Sequence, residues 1–200
     1  MKRAKIGDIY YVKVPNGYKL YQWAYNIPKM GTFIRVFDGL YSSLPDNIAE
    51  IAAGPHSYIV DFYSSRAYRI GIAHWLGNFP VPVEYPFPEY MFSFHWCEDK
   101  AAYWVWITRT DVTGSKIFYV RSMEELPEEF RGLKLLRNGL SLAWILYLFD
   151  IDWNLKKLSS FYPGQPGEDF EAILQEYIAI VDEALARDKE KRMRNRKKSI

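Results

Sequence analysis

Aromatic and β-branched residues dominate a series of short runs through the first 120 residues of the chain. Such runs, bounded by turn residues, are typical of β-strands. Between the first two runs, Pro15-Asn16-Gly17 contains an Asn-Gly pair, which predicts a β-hairpin. Many short strands separated by regular turns favour a barrel or a curled antiparallel sheet. The predicted strands cover residues 7–14, 18–25, 32–37, 57–63, 68–76, 90–96, 101–108 and 116–121.

Two segments interrupt this strand pattern. Residues 45–53 predict one or two helical turns, which Gly54-Pro55 would end. Residues 77–88 contain four prolines. Because proline has no backbone N–H to donate to a sheet, this segment is predicted to be a covering loop or an edge connector. A polyproline ligand for a partner domain is the alternative interpretation of the same prolines.

The last 80 residues change to a helical period. Ser122 and Glu125 form a candidate capping box for a short helix through Phe130, although Pro127 argues for a break within it. Apolar residues recur at helical spacing over residues 141–149 and predict a buried helix, with a buried strand as the alternative.

A second helix is predicted after the turn residues of segment 163–167. Glu168 and Asp169 would occupy its first turn, where carboxylates favour the positive end of the helix dipole. We expect this long amphipathic helix to run into the basic end of the chain, which would be partly helical or frayed. One apolar stripe defines its buried face: Phe170, Ile173, Leu174, Tyr177, Val181, Ala184 and Leu185.

These elements predict a single α+β domain over residues 1–186, followed by a basic tail over residues 187–200. Residues 5–121 would form a curled antiparallel sheet or an SH3-like barrel, and the helices of residues 122–186 would close it. A chain of 200 residues, about half of them apolar, can bury a core that needs no metal or disulfide. The 16 Tyr, 12 Phe and 7 Trp suit both half-buried sheets and interaction surfaces.

The net charge of +2 hides a difference between the body and the tail. Residues 187–200 hold eight basic and two acidic residues, which leaves 18 basic and 22 acidic residues in residues 1–186. The body therefore carries −4 and the tail +6. We expect no nucleic-acid partner for the acidic body, since phosphate contacts need clustered Lys and Arg. The tail is either a solubilising end or a segment that meets nucleic acid or a membrane.

The cysteine count and the apolar runs bear on the compartment. Cys97 is the single cysteine, so the chain has no internal disulfide, which fits a reducing compartment. The N-terminus has no apolar stretch of signal-peptide length, and the strongest apolar run, residues 140–149, is shorter than the roughly 20 residues that span a bilayer. We therefore predict a cytoplasmic protein with no membrane partner.

Nothing in the sequence marks a catalytic centre. The chain has no G-x-S-x-G elbow, phosphate-binding loop or dinucleotide fingerprint, and we predict no cofactor and no catalytic residue. The three histidines, His56, His74 and His95, match no metal-binding spacing. They would hold a metal only if they converged in space with carboxylates such as Asp61, Glu84 or Glu98, and we predict no metal.

Four acidic residues surround Pro127. Four acids within six residues cannot readily share a buried acid–base site, so they form either a solvated face or an acidic patch that meets a basic partner. We take this patch as the candidate partner-binding site. Its members are Glu124, Glu125, Glu128 and Glu129.

The start of the chain carries a family resemblance. Lys5-Ile6-Gly7-Asp8-Ile9-Tyr10-Tyr11-Val12, followed by a hairpin at Pro15-Asn16-Gly17-Tyr18 and an aromatic return strand, resembles the opening of the immunity protein twenty-six family of bacterial polymorphic toxin systems. That family has a K-x-G-D-I-[FY] start and a later P-E-E-[FY] segment, which Pro127-Glu128-Glu129-Phe130 matches. The resemblance covers residues 4–130 and not the helix after Pro166. The Gly-Asp-Ile start is also similar to that of SH3-like barrels, including growth-arresting endoribonuclease toxins.

The resemblance implies a protein that neutralises a cognate toxin by binding it, without catalysis. The implied partner is the toxin domain, for which the acidic body would suit a basic nuclease. Gly7, Asp8 and Ile9 match the family motif, with Asp8 tying down the start of the strand and Ile9 pointing inward. Two alternatives stay open. One is a metal-dependent hydrolase, since related sequences also carry an organophosphate-hydrolase name, and the other is a nucleic-acid-binding barrel that uses tyrosines and the basic tail.

Overall fold

The computed structural model describes residues 4–28, 30–62, 64–100, 102–111, 114–121, 123–130, 135–136, 141–152 and 170–198. It is an α+β structure, as the sequence predicts. The strands are β1 (Asp8–Val14), β2 (Gly17–Ile27), β3 (Gly31–Val36), β4 (Tyr58–Asp61), β5 (Ala73–Asn78), β6 (Tyr90–Cys97), β7 (Ala102–Arg109), β8 (Ser115–Val120) and β9 (Leu135–Leu136). The α-helices are α1 (Ile48–Ala53), α2 (Ser64–Arg69), α3 (Leu142–Asp150) and α4 (Phe170–Lys198).

The strands pair in the order β5-β1-β2-β3-β4-β9-β6-β7-β8. The first five strands are antiparallel to their neighbours, and so are β6, β7 and β8. The two-residue β9 joins these two sets and is parallel to both β4 and β6, where the sequence predicts only antiparallel pairs. Strands β5 and β8 lie at the two edges of this order, so the described strands form the open sheet and not the closed barrel.

The predicted hairpin joins β1 to β2. Val14 pairs with Gly17, so Pro15 and Asn16 form a two-residue loop and Gly17 already belongs to β2. Two-residue loops suit the twist of antiparallel strands. A Cβ atom at Gly17 would lie 2.5 Å from the carbonyl oxygen of Tyr41, which explains a glycine at this position.

The two faces of the sheet bury different residues. Tyr10, Val12, Tyr21, Ile34 and Val60 belong to the main core, which α3 covers and to which α4 adds residues as it packs against α3. On the opposite face, Ile9, Leu20 and Phe37 pack with Ala52 of α1, and Phe33, Ile59 and Met91 form a third cluster. The alternation of these residues along each strand follows the twofold period of a β-strand.

The proline-rich segment after β5 covers the second face, as the sequence predicts for a covering loop. The ring of Phe87 lies 5.0 Å from that of Phe33 and 5.2 Å from that of Tyr25. The first two residues of the predicted loop, Gly77 and Asn78, instead end β5.

The helix predicted over residues 141–149 and the long helix predicted after segment 163–167 are both present. Helix α3 begins after Ser141, whose hydroxyl accepts a hydrogen bond from the Trp144 backbone N–H, and this excludes the strand alternative. Of the predicted stripe in α4, Tyr177 and Ala184 are buried, and Ile173, Leu174, Val181 and Leu185 are half-buried. The helix continues through the basic segment to Lys198. Glu168 and Asp169 lie outside the described residues.

The predicted strand over residues 68–76 is wrong in its first half. Tyr68 and Arg69 belong to α2, and β5 starts only at Ala73. Tyr68, Ile70 and Ile72 alternate with other residues in the sequence and so imitate a strand. In the structure the chain leaves α2 through Gly71, whose φ of +79° lies in the left-handed region that glycine favours.

The predicted short helix around Pro127 consists of two 3₁₀ turns. They cover Met123–Glu125 and Glu128–Phe130, on either side of the proline. Proline cannot donate the backbone hydrogen bond that would join them. The proposed cap, Ser122, lies outside the described residues. The Glu125 carboxylate instead accepts a 2.9 Å hydrogen bond from the Arg121 backbone N–H.

Candidate functional site

The family-motif residues lie inside the fold. Gly7 has a φ of +94°, and its N–H donates a 2.8 Å hydrogen bond to the carbonyl oxygen of Trp23. A Cβ atom at Gly7 would lie 2.5 Å from the backbone oxygen of Phe79, so both the backbone conformation and the available space require glycine. Ile9 is fully buried in the cluster that Ala52 completes.

Asp8 is a buried acceptor at the start of β1. Its carboxylate accepts hydrogen bonds from the Lys5 backbone N–H (2.8 Å), the Trp75 indole N–H (3.1 Å) and the Asn78 side-chain amide (3.0 Å). It also lies 3.4 Å from the hydroxyl of Tyr10, whose pKa is raised by burial and by this charge. Asp8 therefore fastens β1 to β5, which is a structural role.

Two of the histidines contact different residues and do not share a site. Nδ1 of buried His56 accepts a 3.3 Å hydrogen bond from Nε of Arg35, whereas the ring of His74 stacks on Tyr11 at 4.8 Å. The side chain of His95 lies outside the described part of the molecule. Within that described part, no three His, Cys, Asp or Glu side chains are placed to hold a metal ion.

A buried arginine, which the sequence does not predict, lies at the centre of the second face. Arg35 is fully buried and donates to the Gln22 side-chain oxygen (3.0 Å) and to the Gly54 carbonyl oxygen (2.7 Å), in addition to His56. Its guanidinium lies 4.7 Å from the ring centroid of Tyr85 in the covering loop. Burial lowers the pKa of Arg35. The signal for this network is a pair of polar residues, Gln22 and Arg35, at inward positions of adjacent strands.

A second buried polar group ties the β1–β2 loop to the helices. The Asp150 carboxylate accepts hydrogen bonds from the Asn16 backbone N–H (2.7 Å), the Asn16 amide (2.8 Å) and the Tyr177 hydroxyl (2.8 Å). Nearby on β2, the ammonium group of fully buried Lys19 pairs with Asp152. These contacts hold elements together and leave no open site.

Several large side chains are exposed side by side on the outward face of β7 and β8, which we call the β7–β8 surface. It consists of Trp104, Trp106, Ile117 and Tyr119. Trp106 is 44 % exposed, Ile117 53 % and Tyr119 49 %. Trp106 pairs with Ile117 across the strands, Trp104 pairs with Tyr119, and the two indole rings stack at 6.3 Å. Large apolar residues exposed side by side mark an interaction surface.

The predicted acidic patch borders the same strand. The ring of Phe130 lies 5.7 Å from that of Phe118, which alternates along β8 with Ile117 and Tyr119 and so belongs to the opposite face of the strand. All four glutamates are exposed. Glu129 forms a 3.2 Å ion pair with Lys116 of β8, whereas Glu124 and Glu128 form no ion pair with any described residue. The acidic residues are thus a solvated cluster beside the edge of the sheet.

No family model, curated protein or solved structure matches the chain. The resemblance to immunity proteins therefore stays a prediction. Across the ranges that the structure describes, no helix is both long and apolar enough to cross a membrane.

Proposed function

We propose that this chain is a non-catalytic binding protein that holds a basic partner protein against the β7–β8 surface. The observation that carries the proposal is the contiguous exposure of Trp106, Ile117 and Tyr119 on two paired strands. Aromatic residues of this kind supply most of the binding energy in many protein interfaces. The resemblance of residues 4–130 supplies the class of partner, a bacterial toxin domain that the chain neutralises.

The position of β8 supports the proposal. Among the described strands, β8 pairs with β7 alone, so one side of its backbone is open for a further strand. Edge strands with exposed apolar side chains recruit extended segments of other proteins. Lys100 lies with its ammonium 3.6 Å from the ring centroid of Tyr119 and flanks this apolar surface with one positive charge.

The charge beside β8 favours a basic partner. Segment 114–130 contains four glutamates, one lysine and one arginine, which gives it a net charge of −2. Opposite charges raise the rate of association and select among partners. A toxin that cleaves nucleic acid must attract phosphate and therefore presents a basic surface. These two properties fit each other.

A titration of the purified chain with the toxin domain encoded by a neighbouring gene tests the proposal. We expect the Trp106→Ala, Tyr119→Ala double variant to bind at least about 100-fold more weakly, as interface aromatics do. The matched control is Val83→Ala, which changes an apolar residue that is 94 % exposed elsewhere. Unchanged affinity in a folded double variant would remove the β7–β8 surface from the interface.

The basic end of α4 is the second candidate, for nucleic acid. This end is helical to Lys198, and the cations whose side chains the structure describes are exposed: Arg187, Lys189, Lys191, Arg192 and Arg194. Three of them are paired within the helix, in Arg187–Glu183, Arg192–Asp188 and Arg194–Glu190. The expected signature is binding that weakens steeply with salt and disappears when residues 187–200 are removed. The metal-dependent hydrolase has no comparable support, because His56 and His74 contact different partners.

A further inference from the structure

A cavity of about 460 Å³ lies beside α2, where β2 and β3 meet. Sites for small molecules commonly have about 300–1,000 Å³. Its walls include Trp23 of β2, Thr32 of β3, Asp61 of β4 and residues of α2. It shares no residue with the β7–β8 surface, so it is independent of the proposed function.

Trp23, a residue of the cavity wall, carries a buried polar atom without a partner. The indole N–H of Trp23 is buried and donates to no hydrogen-bond acceptor in the described chain. Buried indole N–H groups usually donate a hydrogen bond, because a buried donor without an acceptor costs free energy. Ser64 also lines the cavity, and its buried hydroxyl forms no hydrogen bond with a described residue either.

The other wall is cationic. Arg66 and Arg69 lie three residues apart on α2 and therefore on one side of it. Both are exposed, and neither guanidinium forms an ion pair with a described residue. With Asp61, the charged residues of the lining sum to +1. Guanidinium groups match the planar geometry of carboxylate and phosphate oxygens.

We propose that this cavity binds a small organic anion with an aromatic body. Arg66 and Arg69 hold the anionic group, and the rings of Trp23 and Phe62 contact the aromatic body. The anionic group and the ring together distinguish this ligand from inorganic anions, which lack the apolar contact, and from neutral aromatics, which lack the charge.

The first experiment is a calorimetric titration of the full chain with phenyl phosphate and benzoate, against phenol, benzamide and inorganic phosphate. We expect the two aromatic anions to bind at least about 10-fold more tightly than the neutral or inorganic compounds. No binding of either aromatic anion up to about 10 mM would overturn the proposal, since that concentration detects millimolar affinity. Equal binding of inorganic phosphate would also contradict it, because the aromatic body would then contribute nothing.

Three variants locate the binding. Arg66→Gln with Arg69→Gln should weaken binding of the aromatic anions at least about 10-fold, as expected when charge-assisted hydrogen bonds are lost. Trp23→Ala removes the ring that contacts the aromatic body, and should also weaken binding. The matched control, Arg187→Gln with Arg192→Gln, removes the same charge from α4 and should leave binding unchanged. An equal loss in this control would show a general charge effect and overturn the site.

A spectroscopic readout completes the test. In proton–nitrogen spectra, the indole signal that disappears in Trp23→Phe belongs to Trp23, and we expect it to shift as phenyl phosphate is added. If Trp23→Phe does not fold, selective fluorination of the tryptophans provides the same readout, and the arginine pair, which is exposed, still tests the site. A Trp23 signal that stays fixed while phenyl phosphate binds would place the anion elsewhere.

Discussion

Trp106 and Ile117 lie directly opposite each other on β7 and β8, and both side chains are about half exposed. Cross-strand pairs of large apolar residues usually stabilise a sheet beneath a covering layer. In the first half of the sheet such a layer exists on both faces, because helices and the proline-rich loop cover them. On β7 and β8 the outward pair meets solvent, which makes it the place where another protein gains the most apolar contact.

Charge reversal in the acidic patch tests the contribution of electrostatics to partner binding. We expect Glu124→Lys with Glu128→Lys to lower the association rate for a basic toxin domain about 10-fold at low salt, with a smaller effect at high salt. Stopped-flow mixing measures this rate. Both carboxylates lack an ion pair with described residues, so the change should leave the fold intact. The control is Glu176→Lys with Asp182→Lys on α4. An equal fall in the association rate for this control would show that the acidic patch has no specific effect on association.

Among polar side chains, Asp8 should make one of the largest contributions to stability. Asp8→Ala leaves the Trp75 indole, the Asn78 amide and the Lys5 N–H without their shared acceptor. We expect the free energy of unfolding in urea to fall by about 2–3 kcal/mol, the usual cost of losing hydrogen bonds to a buried charge. Asp46→Ala, at an exposed position, is the control. A loss below about 0.5 kcal/mol for Asp8→Ala would mean that water replaces these contacts.

Arg35 should resist conservative replacement. A lysine has one ammonium group, so it cannot reach Gln22, Gly54 and His56 at once as the guanidinium does. We expect Arg35→Lys to lower the free energy of unfolding by about 3 kcal/mol, since it leaves buried groups unpaired. Arg187→Lys, on the exposed surface, should change it by less than about 0.5 kcal/mol. Equal stability of the two variants would show that the network around Arg35 adjusts to a lysine.

Four of the buried tyrosines predict a loss of stability in alkaline solution. Burial raises the pKa of each above its ordinary value of 10.0, with Asp8 adding to the effect at Tyr10 and Asp150 at Tyr177. Above about pH 10 the unfolded chain releases these protons while the folded chain keeps them, so the free energy of unfolding falls as the pH rises. Each tyrosine contributes a fall of up to about 1.4 kcal/mol for each pH unit. The four tyrosines are Tyr10, Tyr21, Tyr58 and Tyr177.

Urea titrations at about pH 8, 10 and 11 measure this loss. Lys19 acts in the opposite direction, because burial lowers its pKa and its proton is lost first from the folded chain. One lysine opposes four tyrosines, so we expect a net decline. Tyr177→Phe should reduce the decline, and Tyr119→Phe, at an exposed position, should not. Stability that stays constant up to pH 11 would contradict the burial of these hydroxyl groups.

Local pattern predicted most of the elements, because each depends on neighbouring residues. The hairpin at Pro15 and Asn16 and the stripe of α4 follow from turn chemistry and helical period. The strand predicted through Tyr68 failed because three alternating apolar residues also fit a short helix that ends at Gly71. Strand β9 has two residues, too few for any pattern, and its pairing with β4 and β6 depends on contacts distant in sequence.

The candidate surface was the hardest part to predict. The acidic patch was visible as a cluster of charges, and it is exposed as expected. The aromatic residues of β7 and β8 resemble those of β1 in composition, yet Tyr10 is 2 % exposed and Trp106 is 44 % exposed. What separates them is whether another element covers the strand, and this depends on the assembly of the whole sheet. The buried Arg35 escaped prediction for the same reason, since its partners come from three separate segments.

Hydrogen–deuterium exchange of the chain, alone and with the toxin domain, tests the central claim most directly. Strand β8 is an edge among the described strands, so its outward N–H groups should exchange rapidly in the free chain. We predict that binding slows exchange in segments covering Ser115–Val120 and Glu124–Phe130, while β5, the opposite edge, is unchanged. Slowed exchange confined to α4 or to β5, with β8 as fast as in the free chain, would contradict the account.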